Sequence, residues 1–348
     1  MNDPHLALAV VDDPFLDEHR ALEPHPERPE RLAAARRATE SVTRRSGRID
    51  VPLRAATREE LERVHTAHYI ERLGQAAGSL VQWDEDTFSG PKSIDVALRA
   101  AGGAVELVDA LVARRALRGV ALLRPPGHHA RPDDAMGFCF LNNVAVAAAH
   151  ARARGIERVL VLDFDVHHGN GTQEMFYATP EVLFVSLHQF PFYPGTGAVA
   201  ETGSGDGRGY TVNVPLSAGA TNVTYAAAFE RVVAPVVHEF APKLVLLSAG
   251  FDAHRDDPLA QMNLTAGGYR KMTERLLEAL PAETPIGALL EGGYHLAALE
   301  SSLAATLEAL TGLDAPESTT IEPLSVTRQH SEELARAQSS AAEFWSLG

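Results

Sequence analysis

Seven short apolar runs punctuate the chain: LALAVV (6–11), GVALLR (119–124), RVLVLDFDV (158–166), VLFVSLH (182–188), YTVNVPL (210–216), KLVLLSAG (243–250) and IGALLEGG (286–293). Each is short, bounded by turn residues and nearly continuous in apolar character, which predicts strands buried on both faces. Between many of them lie stretches with helical spacing, at 91–117, 138–154, 220–241, 267–280 and 296–311, with Thr221 or Asn222 as a cap for the third. Strands alternating with helices predict an α/β fold: a central, mostly parallel sheet with helices on both faces. The chain shows no fixed-period repeat and no long linker. It reads as one domain over 1–348, with its core at about 10–312 and a polar, helix-containing tail at 313–348.

The polar residues are not scattered. They cluster directly after the strands, as RPPGHHA (124–130), DFDVHHGN (163–170), HQFPFYPGTG (188–197), FDAHRDDP (251–258) and GGYH (292–295). In open α/β sheets ligands bind outside the carboxyl ends of the strands, so the five clusters are expected to converge on one rim.

Composition narrows the partners. Of 348 residues, 46 are acidic and 31 basic, a formal net charge of −15, which disfavours nucleic acid and favours cationic partners. A lone Cys139 forms no intrachain disulfide and sits in the apolar GFCFLNN, a core setting. No stretch resembles a signal peptide or reaches transmembrane length. A cytoplasmic protein with no membrane partner is the expectation, and the N-terminal loop and the tail both offer surfaces for a homo-oligomer.

The cluster at 163–168 raises the chemical question. On a strand, Asp163, Asp165 and His167 would share one face, with Leu162, Phe164 and Val166 on the other. Two packed carboxylates and an imidazole call for a cation, and oxygen with nitrogen donors suits zinc. Asp252 in SAGFD, at the same kind of position on another strand, is the third ligand this reading selects. One His and two carboxylates leave an open coordination position, which marks a catalytic site. A buried ion-pair network is the alternative without metal. The pair His128–His129 on a Gly- and Pro-flanked loop offers a general base beside a general acid, with Asp163 and Asn170 available to orient one each. Tyr294 after two glycines could donate to a developing oxyanion. Phosphate-loop, HExxH and GxSxG patterns are absent or misplaced.

Taken together, HPERPERL (25–32), RPPGHH, GFCFLNN, DFDVHHGNGTQ, SLHQFPFYPGTG, SAGFDAHRDDPL and LEGGYH resemble the zinc-dependent histone deacetylase superfamily, in order, from about residue 10 to 312. Asn170 after HHG and Leu-Glu before GGY resemble its class II branch and the bacterial histone deacetylase-like amidohydrolases. The resemblance implies the arginase/deacetylase fold and hydrolysis of Nε-acyl-lysine, with an acylated peptide or acylated small amine as substrate. It implies zinc on Asp165, His167 and Asp252. His128 and His129 would form the dyad, with Asp163 behind the first and Asn170 behind the second; either could take the proton from water, and His129 is the favoured base. Tyr294 would stabilise the oxyanion. Gly137, Phe138 and Tyr193 would line the acyl-lysine tunnel, and Arg28 would stand near an interior exit channel. It further implies a structural potassium ion on Asp163, Ser186 and Leu187 with main-chain Asp165 and His167, and a second monovalent cation at Phe176, Thr179, Val182 and Tyr210.

Three rivals remain at this point. Acetylpolyamine amidohydrolases share the chemistry; polyamine-preferring relatives can carry Glu where Leu259 stands, and Asp84, Glu85 or Asp86 could read a remote ammonium or grip a peptide backbone. An arginase-like ureohydrolase would need Asp where Gly169 stands. A non-catalytic acyl-binding module would tend to lose a dyad or ligand residue.

Overall fold

The computed structural model describes residues 7–20, 24–314 and 325–347. In chain order its elements are β1 (Leu8–Val11), α1 (Glu30–Ser46), β2 (Arg48–Val51), α2 (Arg58–Glu62), α3 (Ala67–Ala76), β3 (Val81–Gln82), β4 (Phe88–Ser89), α4 (Ser93–Val112), β5 (Arg118–Ala121) and α5 (Asn143–Ala153). There follow β6 (Val159–Asp163), α6 (Asn170–Phe176), β7 (Val182–Gln189), β8 (Thr211–Leu216), α7 (Asn222–Ala228), α8 (Ala234–Phe240), β9 (Leu244–Ala249), α9 (Ala266–Glu278), β10 (Ile286–Leu290), α10 (Leu296–Leu310) and α11 (Arg328–Ala341).

Eight strands form one sheet in the order β2-β1-β5-β10-β9-β6-β7-β8, every pair parallel. The inner strands are buried along their whole length, as their uninterrupted apolar runs require. One helical layer is built from α4 with α5. The other runs through α1, α10, α9 and α7. β3 and β4 pair antiparallel in a small hairpin apart from the sheet. No helix among the described residues is long and apolar enough to cross a membrane.

Several boundaries differ from the sequence expectation, each for a local reason. The strand read at 158–166 stops at Asp163. There the Asp163 side chain accepts the N–H of Asp165 (3.1 Å), and the Asp165 side chain accepts that of His167 (3.0 Å). Two successive aspartate turns thus replace the strand ladder. Asp165 and His167 reach the rim from this turn and not by alternation along a strand. The helix read at 138–154 begins at Asn143, where Asn142 caps it by accepting Ala145 N–H. This frees 138–142 to form part of the site wall. The helix at 220–241 is interrupted by a π segment, Phe229–Val233, and Thr221 stands at its start without a side-chain cap bond. In the tail, α11 packs on β8 at the sheet edge, with Glu333 Oε2 accepting Ser217 N–H (3.0 Å); residues 315–324 and 348 of the tail lie outside the described residues.

Candidate active site

The loops after β5, β6, β9 and β10 meet above the carboxyl edge of the sheet. One donor atom each from Asp165, His167 and Asp252 falls in a group within 4.8 Å of one another. His167 Nδ1 lies 3.2 Å from Asp165 Oδ1 and 3.2 Å from Asp252 Oδ2. Main-chain groups fix the carboxylates: Asp252 Oδ1 accepts Val166 N–H (2.8 Å) and Asp165 Oδ2 accepts Gly292 N–H (2.8 Å). Asp252 Oδ2 is buried and makes no hydrogen bond. Gly250 and Gly292 permit this crowding, since a Cβ on Gly250 would collide with Asp165 Oδ2 and one on Gly292 with Asp252 Oδ2.

Two buried carboxylates compete here for one imidazole. Burial and the neighbouring Asp165 push Asp252 up to about 7. Burial alone would depress His167, but the two aspartates outweigh it and raise the ring to about 10. A buried anionic oxygen without a hydrogen bond, beside a second carboxylate and an imidazole, fits a divalent cation such as zinc.

The histidine pair lies on the loop after β5, both rings buried and their centroids 4.0 Å apart. Their partners differ. His128 Nδ1 is 3.0 Å from Asp163 Oδ2, and His129 Nδ1 is 2.8 Å from Asn170 Oδ1 at the start of α6. With Nδ1–H donating in each ring, Nε2 is left for chemistry. Burial lowers His128, yet Asp165 and Asp163 overcome it and hold the ring up at about 10. Burial, His128 and His167 together hold His129 well below the usual imidazole range. The two rings are therefore pushed in opposite directions, His128 toward the charged form and His129 toward the neutral one.

Tyr294 follows Gly293, whose φ of +114° is open to glycine and strained for other residues. Asp257 fixes the turn by accepting Tyr294 N–H (2.6 Å) and His295 N–H (3.2 Å), and its other oxygen accepts Leu259 N–H (3.0 Å). Phe138 meets the Tyr294 ring edge-on, with centroids 5.9 Å apart. Phe138 has a φ of +68°, which its anchors impose: Thr87 Oγ1 accepts its N–H (3.0 Å), and Asp84 accepts that of Gly137 (3.2 Å). A Cβ on Gly137 would stand 2.5 Å from the His129 ring. Tyr193, 39% exposed, reaches the other side of His129 with centroids 5.2 Å apart.

Some expectations need correction. Asp84 accepts the N–H groups of Asp86, Thr87 and Gly137, so its carboxylate builds the wall and is not free to read an ammonium. Asp86 stays at the rim, where burial and Asp84 raise its carboxyl. Arg28 is exposed. The arginine of this motif that lies in the interior is Arg31, which donates to the carbonyls of Glu291 and Gly293 and to Glu27, with its guanidinium 5.0 Å from the Tyr294 ring centre. Glu27 also binds Arg124 in this buried network. Sequence reasoning missed Glu27, Arg31, Arg124, Asp257, Glu291 and Phe192, which stacks on His167 at 5.4 Å. All six lie inside quoted motifs, but nothing in the local pattern gives them a role. Ser186 pairs with Asp163 across β6 and β7, with buried Leu187 next to it. Phe176, Thr179, Val182 and Tyr210 gather near the starts of β7 and β8, where Phe176 O accepts Thr179 N–H (3.2 Å) and Tyr210 O accepts Phe184 N–H (2.9 Å).

The comparisons agree with this architecture. The histone deacetylase domain model matches residues 25–310. The chain belongs to that family, and its fold is the arginase/deacetylase fold. It is 42% identical over 296 residues to histone deacetylase 15 of Arabidopsis thaliana, covering 83% of this chain and 53% of that protein. It is 44% identical over 269 residues to a histone deacetylase-like amidohydrolase of Pseudomonas aeruginosa, covering 74% and 69%. Similarity to the human polyamine deacetylase HDAC10 is 39% over 340 residues, covering 92% and 49%. The chain thus spans about half the length of two of these relatives. The crystal structure of the HDA15 HD domain superposes with a TM-score of 0.89 at 36% identity, covering 99% of this chain and 96% of that one.

Proposed function

We propose that the protein is a zinc-dependent amidohydrolase that cleaves Nε-acyl-lysine into a carboxylate and the free amine. The observation that carries this reading is geometric: two adjacent, buried histidines, His128 on a carboxylate (Asp163) and His129 on an amide (Asn170), stand beside a three-donor cluster suited to a divalent cation. Asp165, His167 and Asp252 would hold zinc, which when bound polarises the acyl carbonyl and acidifies a water. His129 Nε2 takes the proton as water attacks, with Asn170 fixing the tautomer. Charged His128, backed by Asp163, steadies the developing negative charge and protonates the departing amine. The Tyr294 hydroxyl donates to the oxyanion. Gly137, Phe138 and Tyr193 flank the aliphatic stem of the substrate. The chain acts in this reading as one unit over 1–348, with potassium on Asp163, Ser186 and Leu187 and a second monovalent cation near Phe176, Thr179, Val182 and Tyr210. A cytoplasmic setting and an acidic surface without nucleic-acid partners complete it.

A second reading, acylpolyamine hydrolysis, draws support from the rim carboxylate of Asp86 and from the similarity to the polyamine deacetylase. Half-buried, apolar Leu259 favours acyl-lysine. The deciding experiment compares an acetyl-lysine peptide with acetylputrescine and acetylspermidine at equal concentration on zinc-reconstituted protein. Peptide preference is expected. A strong polyamine preference replaces the first reading with the second, and turnover of neither, nor of longer acyl groups, favours a binding module.

Tyr294→Phe is expected to fold, keep its zinc and lose about a hundredfold in kcat, the usual cost of one oxyanion donor. Wild-type turnover in this variant, measured on the same peptide, removes Tyr294 from the mechanism.

A further inference from the structure

One buried acid has no part in this chemistry. Glu291, just past β10, is fully buried. Its Oε2 accepts two main-chain N–H groups, from Gly127 at 2.6 Å and from His128 at 3.2 Å. Its Oε1 is buried with no hydrogen-bond partner. The nearby guanidinium of Arg31 donates to the Glu291 carbonyl and forms its ion pair with Glu27. A buried carboxylate whose second oxygen is unsatisfied is costly, and a turn alone does not require one.

The main chain around Glu291 shows what it joins. Its own N–H donates to Ala249 O (3.1 Å), the next N–H, of Gly292, holds Asp165 Oδ2, and Tyr294 follows two residues later. On the far side, the His128 carbonyl accepts the N–H groups of Gly171 (3.1 Å) and Thr172 (3.3 Å) in α6. The His128 backbone is thus gripped from both sides, by α6 at its carbonyl and by Glu291 at its N–H.

We propose that Glu291 is a positioning residue for the histidine pair: its Oε2, bound to the Gly127 and His128 amides, sets their distance from Asp165 and Tyr294. The proposal rests on the amidohydrolase reading. Glu291 touches no substrate and acts through the backbone it holds, with its charge also facing the His128 ring. Without its acceptor two buried N–H groups lose their partner, and the loop relaxes away from the metal cluster.

Three variants test this. Glu291→Gln keeps an acceptor oxygen at the same reach, Glu291→Asp withdraws it by one methylene, and Glu291→Ala removes it. We expect Glu291→Ala to retain zinc and to keep KM within about twofold while kcat falls about a hundredfold, the scale of a 1 Å misplacement of a reacting group. Glu291→Gln should stay within about fivefold of wild type, and Glu291→Asp should follow the alanine variant. A readout independent of turnover is the low-field proton NMR signal of each Nδ1–H, in His128 to Asp163 and in His129 to Asn170. These signals should move in the alanine and aspartate variants and stay in place in the glutamine variant. Unmoved signals with near-wild-type kcat in Glu291→Ala overturn the proposal, as does a glutamine variant as impaired as the aspartate one. If Glu291→Ala does not fold, the glutamine–aspartate comparison decides. If wild-type protein hydrolyses no acyl substrate, the reaction assigned above falls, and the imidazole signals still decide whether Glu291 places the pair.

Discussion

Replacing Asp252 by asparagine is expected to give a folded protein that no longer holds zinc at micromolar metal and turns over acyl-lysine at least about a thousandfold more slowly, the loss of several kcal/mol of Lewis-acid stabilisation. Asparagine can still accept Val166 N–H through its amide oxygen, as Asp252 does at 2.8 Å. What disappears is the buried anionic oxygen without a hydrogen bond. Metal content by elemental analysis, kcat on an acetyl-lysine peptide and melting with and without zinc check the claim together. In the metal-free state the variant should melt within a few degrees of wild type, because the backbone contact is kept. A variant with full zinc and normal turnover would exclude Asp252 from the metal set.

Replacing His129 by alanine is expected to lower kcat about a thousandfold, within the range for losing a general base, with zinc content unchanged. The effect follows from the difference between two adjacent rings. His128 is held charged by Asp165 and Asp163, so it has no room for another proton near neutrality. Burial and the neighbouring His128 hold His129 well below the usual imidazole range, and its partner is the uncharged Asn170. His129 is therefore the ring expected to accept a proton at the start of the reaction. Single-turnover kinetics would separate a loss in the chemical step from a loss in binding. A His129→Ala variant that retains most of its kcat would move the base to His128 and undo this assignment.

Much of this was legible in the sequence because the chemistry sits in contiguous motifs. The candidate metal donors, both histidines, the two side chains bonded to them and Tyr294 all lie directly after apolar runs, where a parallel sheet gathers them. What could not be read depends on distant backbone. Asp165 and His167 were placed by strand alternation, whereas successive aspartate turns present them. Arg31, in the first turn of α1, resembles any solvated helix charge, and its burial depends on carbonyls 260 and 262 residues away as well as on the nearby Glu27. α1 itself gave little signal because its buried face is rich in alanine. Asp84 looked like a rim acid, and its three N–H partners become visible only once the hairpin loop lies against Gly137.

The strand order has a consequence for how the protein matures. No two strands of the main sheet are joined by a hairpin, and β5, β10, β9 and β6 lie side by side although they are far apart along the chain. Asp165 and Asp252 come from different crossovers, and Gly292, which steadies Asp165, comes from a third. Partly folded chains therefore lack a complete ligand set, and a high-affinity metal would stabilise only the finished topology. Metal uptake during refolding should accordingly mark the last docking events of the sheet, and a chain able to capture such a metal would already have passed the steps at which long-range parallel pairing can go astray.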